Sequence, residues 1–335
     1  MGSQFVDINS DGKLDYVSAT FDGSPHVAYG SNEGFKAPVR LEDKDGKRII
    51  AGHYWDYESE SHEQVTRSMP GGRGKDQRCI SALAYDWDAD GDYDLLLGTY
   101  EGGALYRQMN EGTNAKPRFS GQNIAVNAGG KPLNLPAKMT TPRLVDWDKD
   151  GDMDLIVGSF GDTYGAGEGG AVYVTLNEGE KGKPSFGPLK PLIARSKKGG
   201  KAPSRPDAGL YADAFDYDGD GDLDLVVGGY AMWTPQGRAL TDLERARVKE
   251  LKDLEVKTFA KRDVINDKMF AAIEEATNGL DRKSDEYRKK ARETRKPFFE
   301  EIKPVSDQLR KISNEMNELV PRGQRKSFVW LYERQ

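Results

Sequence analysis

The chain has 335 residues, 36% of them hydrophobic and 31% charged, with 49 Lys plus Arg against 55 Asp plus Glu and a formal charge of −6. That is enough for one large or two ordinary domains with a real core. The composition excludes an apolar membrane-spanning run of 18 residues, and the single cysteine, Cys79, excludes an internal disulfide or a cysteine-based zinc site.

In chain order, the first strand pattern starts at Phe5 and opens a segment that recurs. Phe5-Val-Asp-Ile-Asn-Ser-Asp-Gly-Lys-Leu-Asp-Tyr-Val-Ser returns without gaps from Ala84, Leu144 and Ala214. The first Asp of each copy stands at 7, 86, 146 and 216, and fourteen residues later come Phe21, Tyr100, Phe160 and Tyr230. An Asn-Glu-Gly turn follows in three copies, at Asn32, Asn110 and Asn177. Each copy reads as an apolar strand, an acidic loop, a strand of aliphatic residues such as Leu155-Ile-Val-Gly, a third strand, and a fourth after Pro117-Arg-Phe119 or Pro184-Ser-Phe186. Four strands in a unit of this length predict an all-β fold, a β-propeller of four-stranded blades. Four blades are visible over 1–233, in a ring that they need not complete.

After Trp233 the composition changes to charged and Ala/Leu-rich. Leu243, Leu251, Leu254, Ile265, Met269 and Ile273 fall at helical spacing, with Gly279 as a cap. Phe298, Ile302, Val305, Leu309, Ile312, Met316 and Leu319 then step alternately by four and three, a heptad seam. An antiparallel, coiled-coil-like helical hairpin is expected over 239–321, with Pro297 and Pro304 kinking or breaking its returning arm. Phe328-Val-Trp-Leu-Tyr332 resumes a strand pattern. The hairpin therefore reads as an insertion between the second and third strands of blade 4, whose returning strand is 327–335.

Each acidic loop follows D-x-[DN]-x-D-G-x-x-D. Carboxylates at positions 1, 3 and 5 of a tight turn converge hard oxygen ligands. Gly at position 6 allows the bend, position 7 offers a backbone carbonyl, and position 9 closes the sphere. Such a set suits Ca²⁺ better than Mg²⁺, which keeps more water. An EF-hand would need Glu at position 12, where Ser18, Leu97, Val157 and Val227 stand instead. The four loops hold 18 Asp, and without them the chain would carry +12. The acidity thus belongs to the loops, and the expectation of no nucleic-acid partner rests on the absence of a basic recognition motif.

At these residues the chain resembles the FG-GAP/VCBS-repeat β-propellers, whose integrin-alpha-like members carry the same calcium loop between the first and second blade strands. The resemblance covers roughly 1–233 plus 327–335. It implies up to four bound Ca²⁺ held by Asp7, Asn9, Asp11 and Asp15; by Asp86, Asp88, Asp90 and Asp94; by Asp146, Asp148, Asp150 and Asp154; and by Asp216, Asp218, Asp220 and Asp224. The family closes its ring with more blades, so a truncated N-terminus is expected, with further blades and an export signal upstream. Met1-Gly-Ser-Gln-Phe-Val has neither the basic start nor the apolar stretch of a signal peptide.

Propeller topology would put the long segments 43–80, 125–141, 161–170, 195–210 and the hairpin on the face opposite the acidic loops. His53, Trp55, Tyr164, Arg205 and Trp233 are the ligand-binding candidates there, since aromatics beside His and Arg suit sugars or a protein anchor. No triad or acid–base pair is legible, so no enzyme activity is expected. The reading is a calcium-binding scaffold for protein or glycan adhesion, with structural Ca²⁺, in a secreted, periplasmic or cell-surface setting. The alternatives are a polysaccharide hydrolase or lyase working on the long-loop face, and a structural protein assembling through its helical hairpin.

Overall fold

The computed structural model describes residues 2–56, 61–63 (backbone only), 77–136, 138–161, 168–196, 203–281 and 284–334. The chain divides into two compact units, Met1–Trp233 with Arg325–Gln335, and Thr234–Gln324.

The first unit is built of antiparallel sheets whose strands lie in sequence order. Sheet 1 holds β1 (Ser3–Val6), β2 (Asp15–Ala19), β3 (Pro25–Ala28) and β4 (Val39–Arg40). Sheet 2 holds β5 (Cys79–Tyr85), β6 (Asp94–Thr99), β7 (Leu105–Gln108) and β8 (Ile124–Ala125). Sheet 3 holds β9 (Thr141–Val145), β10 (Asp154–Gly158), β11 (Val172–Thr175) and β12 (Lys190–Ile193). Sheet 4 has three strands, β13 (Ala208–Phe215), β14 (Asp224–Trp233) and β15 (Gln324–Tyr332). In every sheet the first and second strands pair up to the edge of an acidic loop: Val6 opposes Asp15, Tyr85 opposes Asp94, Val145 opposes Asp154, and Phe215 opposes Asp224.

Strand alternation gives each sheet two apolar faces. In the second strands, Leu95, Leu155 and Leu225 pack toward the preceding sheet, whereas Val17, Leu96 and Ile156 pack toward the following one. The result is three cores: the first between sheets 1 and 2, the second between 2 and 3, the third between 3 and 4. The aromatics at the shared offset also meet across sheets. Phe21 and Tyr100 stand edge-to-face at 5.6 Å, as do Phe160 and Tyr230 at 5.8 Å. Phe119 and Phe186, from the Pro-x-Phe elements, bury in the first and second cores. Among the described residues, the outward faces of the end sheets carry exposed rings: Phe5 is 59% exposed and Tyr217 60%.

One turn departs from the expected alignment. Asn110 and Asn177 follow the third strands of sheets 2 and 3, but in sheet 1 the corresponding place belongs to Gly30, as its backbone bond to the acidic loop shows. Asn32 lies beyond it, between Gly30–Ser31 and Gly34–Phe35, which pair as a small hairpin of their own. Two additional residues thus separate this turn from its strand.

The second unit is an antiparallel pair of helices, α1 (Asp242–Ala276) and α2 (Asp285–Leu319). Thr241 and Glu244 form a reciprocal capping box at the start of α1, and Ser284 caps α2. Leu251, Ile265, Met269 and Ile273 are buried on α1, and every position of the heptad seam on α2 is buried or half-buried. Leu243, in contrast, is 81% exposed in the first turn of α1. Nor do Pro297 and Pro304 break α2, which runs through both. Proline removes one N–H bond from the ladder, and Phe298, packed with Met269, Ile273 and Ala291, holds the helix in place beside the gap.

The two-faced arrangement has a direct test in urea unfolding. Leu96→Ala, at the centre of the second core, is expected to cost ~2–5 kcal/mol. Tyr217→Ala, on the uncovered face of sheet 4, is expected to cost less than about 0.5 kcal/mol. Similar losses at both positions would contradict the arrangement.

Candidate metal centre

The four acidic loops share one geometry, set by backbone N–H groups that the loop carboxylates accept. At position 1, Asp7, Asp86, Asp146 and Asp216 each take the N–H of the position-6 glycine, at 2.8, 3.1, 3.1 and 3.1 Å. At position 5, Asp11, Asp90, Asp150 and Asp220 take the N–H of position 7, at 3.0, 3.0, 3.0 and 2.9 Å. The glycines Gly12, Gly91, Gly151 and Gly221 all have φ between 85° and 97°, where a side chain would be strained.

Position 9 joins each loop to its sheet. Asp15, Asp94, Asp154 and Asp224 are buried, and each spends both carboxylate oxygens on backbone N–H groups. One oxygen accepts from position 2: Ile8 at 3.2 Å, Trp87 at 3.0 Å, Trp147 at 2.9 Å and Tyr217 at 3.0 Å. The other accepts from the end of the third strand: Gly30 at 2.8 Å, Asn110 at 2.6 Å, Asn177 at 2.7 Å and Arg334 at 2.9 Å. Asn114 additionally bridges two loops, accepting from the Tyr93 N–H at 2.7 Å and donating to Ser10 Oγ at 3.0 Å.

Carboxylates of the loops also gather. Asp86, Asp88 and Asp90 bring one carboxylate oxygen each within 4.8 Å of one another, as do Asp146, Asp148 and Asp154, and Asp216, Asp218 and Asp224. The first loop makes no such group of three among the described residues; Asn9 stands at its position 3 and donates to Asp11 at 3.2 Å. Position 7 adds a feature that the motif reading treats as a backbone carbonyl only. Loops two to four carry Asp92, Asp152 and Asp222 there, where the first has Lys13. Among the described residues, Asp92, Asp152 and Asp222 each bury an Oδ1 for which no hydrogen-bond partner is found, and so does Asp146. The signal for these residues is the Asp-Gly-Asp triplet shared by three loops.

Burial pushes the Asp92 carboxyl up to about 6, with the charges of Asp90, Asp88 and Asp86 adding to the shift. Asp94 is also pushed up to about 6, first by burial, against the two N–H bonds that favour its charge. Asp152 and Asp154 are raised for the same leading reason. Crowded carboxylates that resist ionising, beside buried oxygens lacking a donor, form a donor set that a hard divalent cation fits.

The ligand candidates of the opposite segments belong to different connections of the chain. His53 and Trp55 belong to the connection between sheets 1 and 2, where the His53 carbonyl accepts from Gln77 N–H at 2.8 Å and the Trp55 carbonyl from Arg78 at 3.1 Å. Arg205 is half-buried between sheets 3 and 4 and donates to the Ala194 carbonyl at 3.4 Å. Trp233 is half-buried at the end of β14. Tyr164 lies outside the described residues.

Residues 86–157, from the second acidic loop into β10 beyond the third, match the family model of the FG-GAP-like repeat. That stretch supports an FG-GAP-like repeat family for the chain. The chain matches no curated protein.

The raised carboxyls make a pH-dependent test. Between the unfolded value near 4 and the folded value near 6, the folded state binds more protons at Asp92, so its stability falls as pH rises. In chelator, Asp92→Asn is expected to be more stable than the parent at pH 7.5 and no more stable at pH 4.5, as read from urea midpoints. An advantage independent of pH would show that Asp92 is not the strained carboxylate. Asp94→Ala has the opposite sign, since it strands two buried N–H donors, and a loss of more than about 2 kcal/mol is expected.

Proposed function

We propose that the four sheets are blades of a calcium-stapled β-propeller that serves as a protein- or glycan-binding scaffold outside the cytoplasm. The observation that carries this reading is the recurrence of one loop, with one hydrogen-bond pattern, between the first and second strands of all four sheets. A carboxylate cluster that arose for local turn geometry would not need four copies in register.

The metal's role in this proposal is structural. Position 9 fixes the loop to the third strand, and the carboxylates of positions 1, 3 and 5 stand over the turn. A divalent cation would relieve their mutual repulsion and bind only the folded arrangement, which raises stability by mass action. The exposed end faces support blades: Phe215, 46% exposed in sheet 4, corresponds to Val6 and Tyr85, which pack against a following sheet. These faces are therefore surfaces on which further sheets of a ring could pack. The extracytoplasmic setting follows from calcium supply, since extracellular modules commonly fill at ~10⁻⁴–10⁻³ M. Among the described residues no helix is long and apolar enough to cross a membrane. Phe270 and Phe299, 60% and 58% exposed on the helical hairpin, offer a second contact surface for a partner.

The test is thermal unfolding with Ca²⁺ and then with chelator. The melting temperature is expected to rise by several degrees in millimolar Ca²⁺, and the rise should largely vanish in the combined Asp86→Ala, Asp146→Ala and Asp216→Ala variant. A parent protein whose melting is indifferent to Ca²⁺ removes the metal role. The first loop, with three carboxylates instead of five, is expected to fill last in a calorimetric titration.

A further inference from the structure

Repetition makes an exception visible in the third strands. Three residues before the position that bonds to the buried aspartate, the four sheets carry Val27, Arg107, Val174 and Leu331. Val27 and Val174 are buried in the cores they share with the following sheet. Arg107 places a guanidinium at the equivalent point between sheets 2 and 3. It lies over the Trp87 ring, 4.7 Å from the centroid, and is half-buried. Among the described residues its hydrogen bonding is confined to Met109 Sδ at 3.6 Å, a weak acceptor, and no carboxylate lies within ion-pair distance.

A guanidinium carries five N–H donors, and Arg107 is only half-buried, so donors without a protein acceptor remain open to solvent or to a ligand. Arg107 lines a cavity of about 400 Å³ together with Trp87, Asn127, Lys183, Ser185 and Phe186. That volume lies within the range of small-molecule sites. Trp87 and Phe186, with centroids 6.0 Å apart, are themselves buried in the second core and back the cavity. Lys183 adds a second cation, while Asn127 and Ser185 add neutral donors and acceptors.

We propose that this cavity binds an acidic sugar through its carboxylate, a uronate unit of a glycan. The Arg107 fork matches a carboxylate in bidentate geometry, with Lys183 beside it. Asn127 and Ser185 suit the hydroxyls of the sugar ring. An acidic peptide side chain would use the fork and leave these neutral polar groups idle. The site lies between sheets 2 and 3, apart from His53, Trp55, Arg205 and Trp233. It rests on the reading of the sheets as a binding scaffold, and it adjoins the second acidic loop, whose Asp94 and Asp88 charges act on Arg107.

The experiment is a calorimetric titration of the full chain with digalacturonate, using lactose and Glu-Glu dipeptide as comparison ligands. Saturable binding of digalacturonate is expected, with lactose inert and the dipeptide at least tenfold weaker. Arg107→Val, which restores the aliphatic residue of the other sheets, is expected to melt at or above the parent temperature and to bind at least tenfold more weakly. Arg107→Lys keeps the charge without the fork and should weaken binding several-fold, giving a second reading if the valine variant fails to fold. Absence of saturable digalacturonate binding, equal binding by both Arg107 variants, or tighter binding of the dipeptide would each overturn the proposal. Calcium-dependent melting is measured on the same sample, so that failure at this cavity is distinguishable from failure of the scaffold reading.

Discussion

A buried aspartate at the start of each second strand is the constraint on which the sheets depend. Asp15, Asp94, Asp154 and Asp224 sit within a β-ladder, where an unpaired carboxylate would be costly. Each is matched by two backbone N–H groups, one from its own loop and one from the end of the third strand. Three separate stretches of chain are thereby fixed around one side chain. The turn geometry then brings positions 1 and 3 together with position 5 in the second loop and with position 9 in the third and fourth, so carboxylates already tied to backbone N–H groups also crowd one another. Fold and metal affinity arise here from one arrangement: the hydrogen bonds that define the loop also leave the other oxygens facing one another.

The same repeat divides labour along each strand. Residues adjacent in sequence belong to different cores, as Leu95 and Leu96 do, so each sheet couples its two neighbours through its own backbone. A change on one face is transmitted by strand position to the other, because the register is tied down at the acidic loop. This is why Arg107 stands out. It substitutes charge for volume at a point where the architecture otherwise calls for an aliphatic residue, and Trp87, at position 2 of an acidic loop, answers it with a ring face.

Much of this is legible in the sequence where the offset is rigid. A nine-residue loop flanked by paired strands tolerates no insertion, so Asp7, Asp86, Asp146 and Asp216 align by inspection and their neighbours fall into place. The same holds for Phe21 with Tyr100 and for the heptad positions of α2, since both periods are fixed by backbone geometry. Legibility fails where the chain has slack. Asn32 repeats a turn motif two residues too late because a small hairpin takes up the difference. Leu243 fits the helical spacing but belongs to the first turn, where there is less of the partner helix to cover it. Pro297 and Pro304 read as kinks or breaks by local propensity, yet the helix continues through both, with Phe298 packed beside the first. Asp92 is hidden for a different reason: position 7 serves through its backbone in the motif, so its side chain carries no expectation until burial shows its oxygen without a donor.

The interruption of sheet 4 shows how an open-ended repeat can admit ninety residues without losing its third strand. Loop-closure entropy rises only logarithmically with length, so the number of residues between β14 and β15 is a small obstacle in itself. What matters is whether the inserted segment returns its own ends to one place. The helical pair does so: Arg247 near the start of α1 binds Glu315 near the end of α2 at 2.6 Å, and a side chain at Gly237 would come within 2.9 Å of Pro321. The hairpin thus acts on the chain as a short turn would. β15 can then take its place beside β14, and Arg334 can donate to Asp224 across 110 residues of sequence, completing in sheet 4 the bond that the uninterrupted sheets make within a few strands.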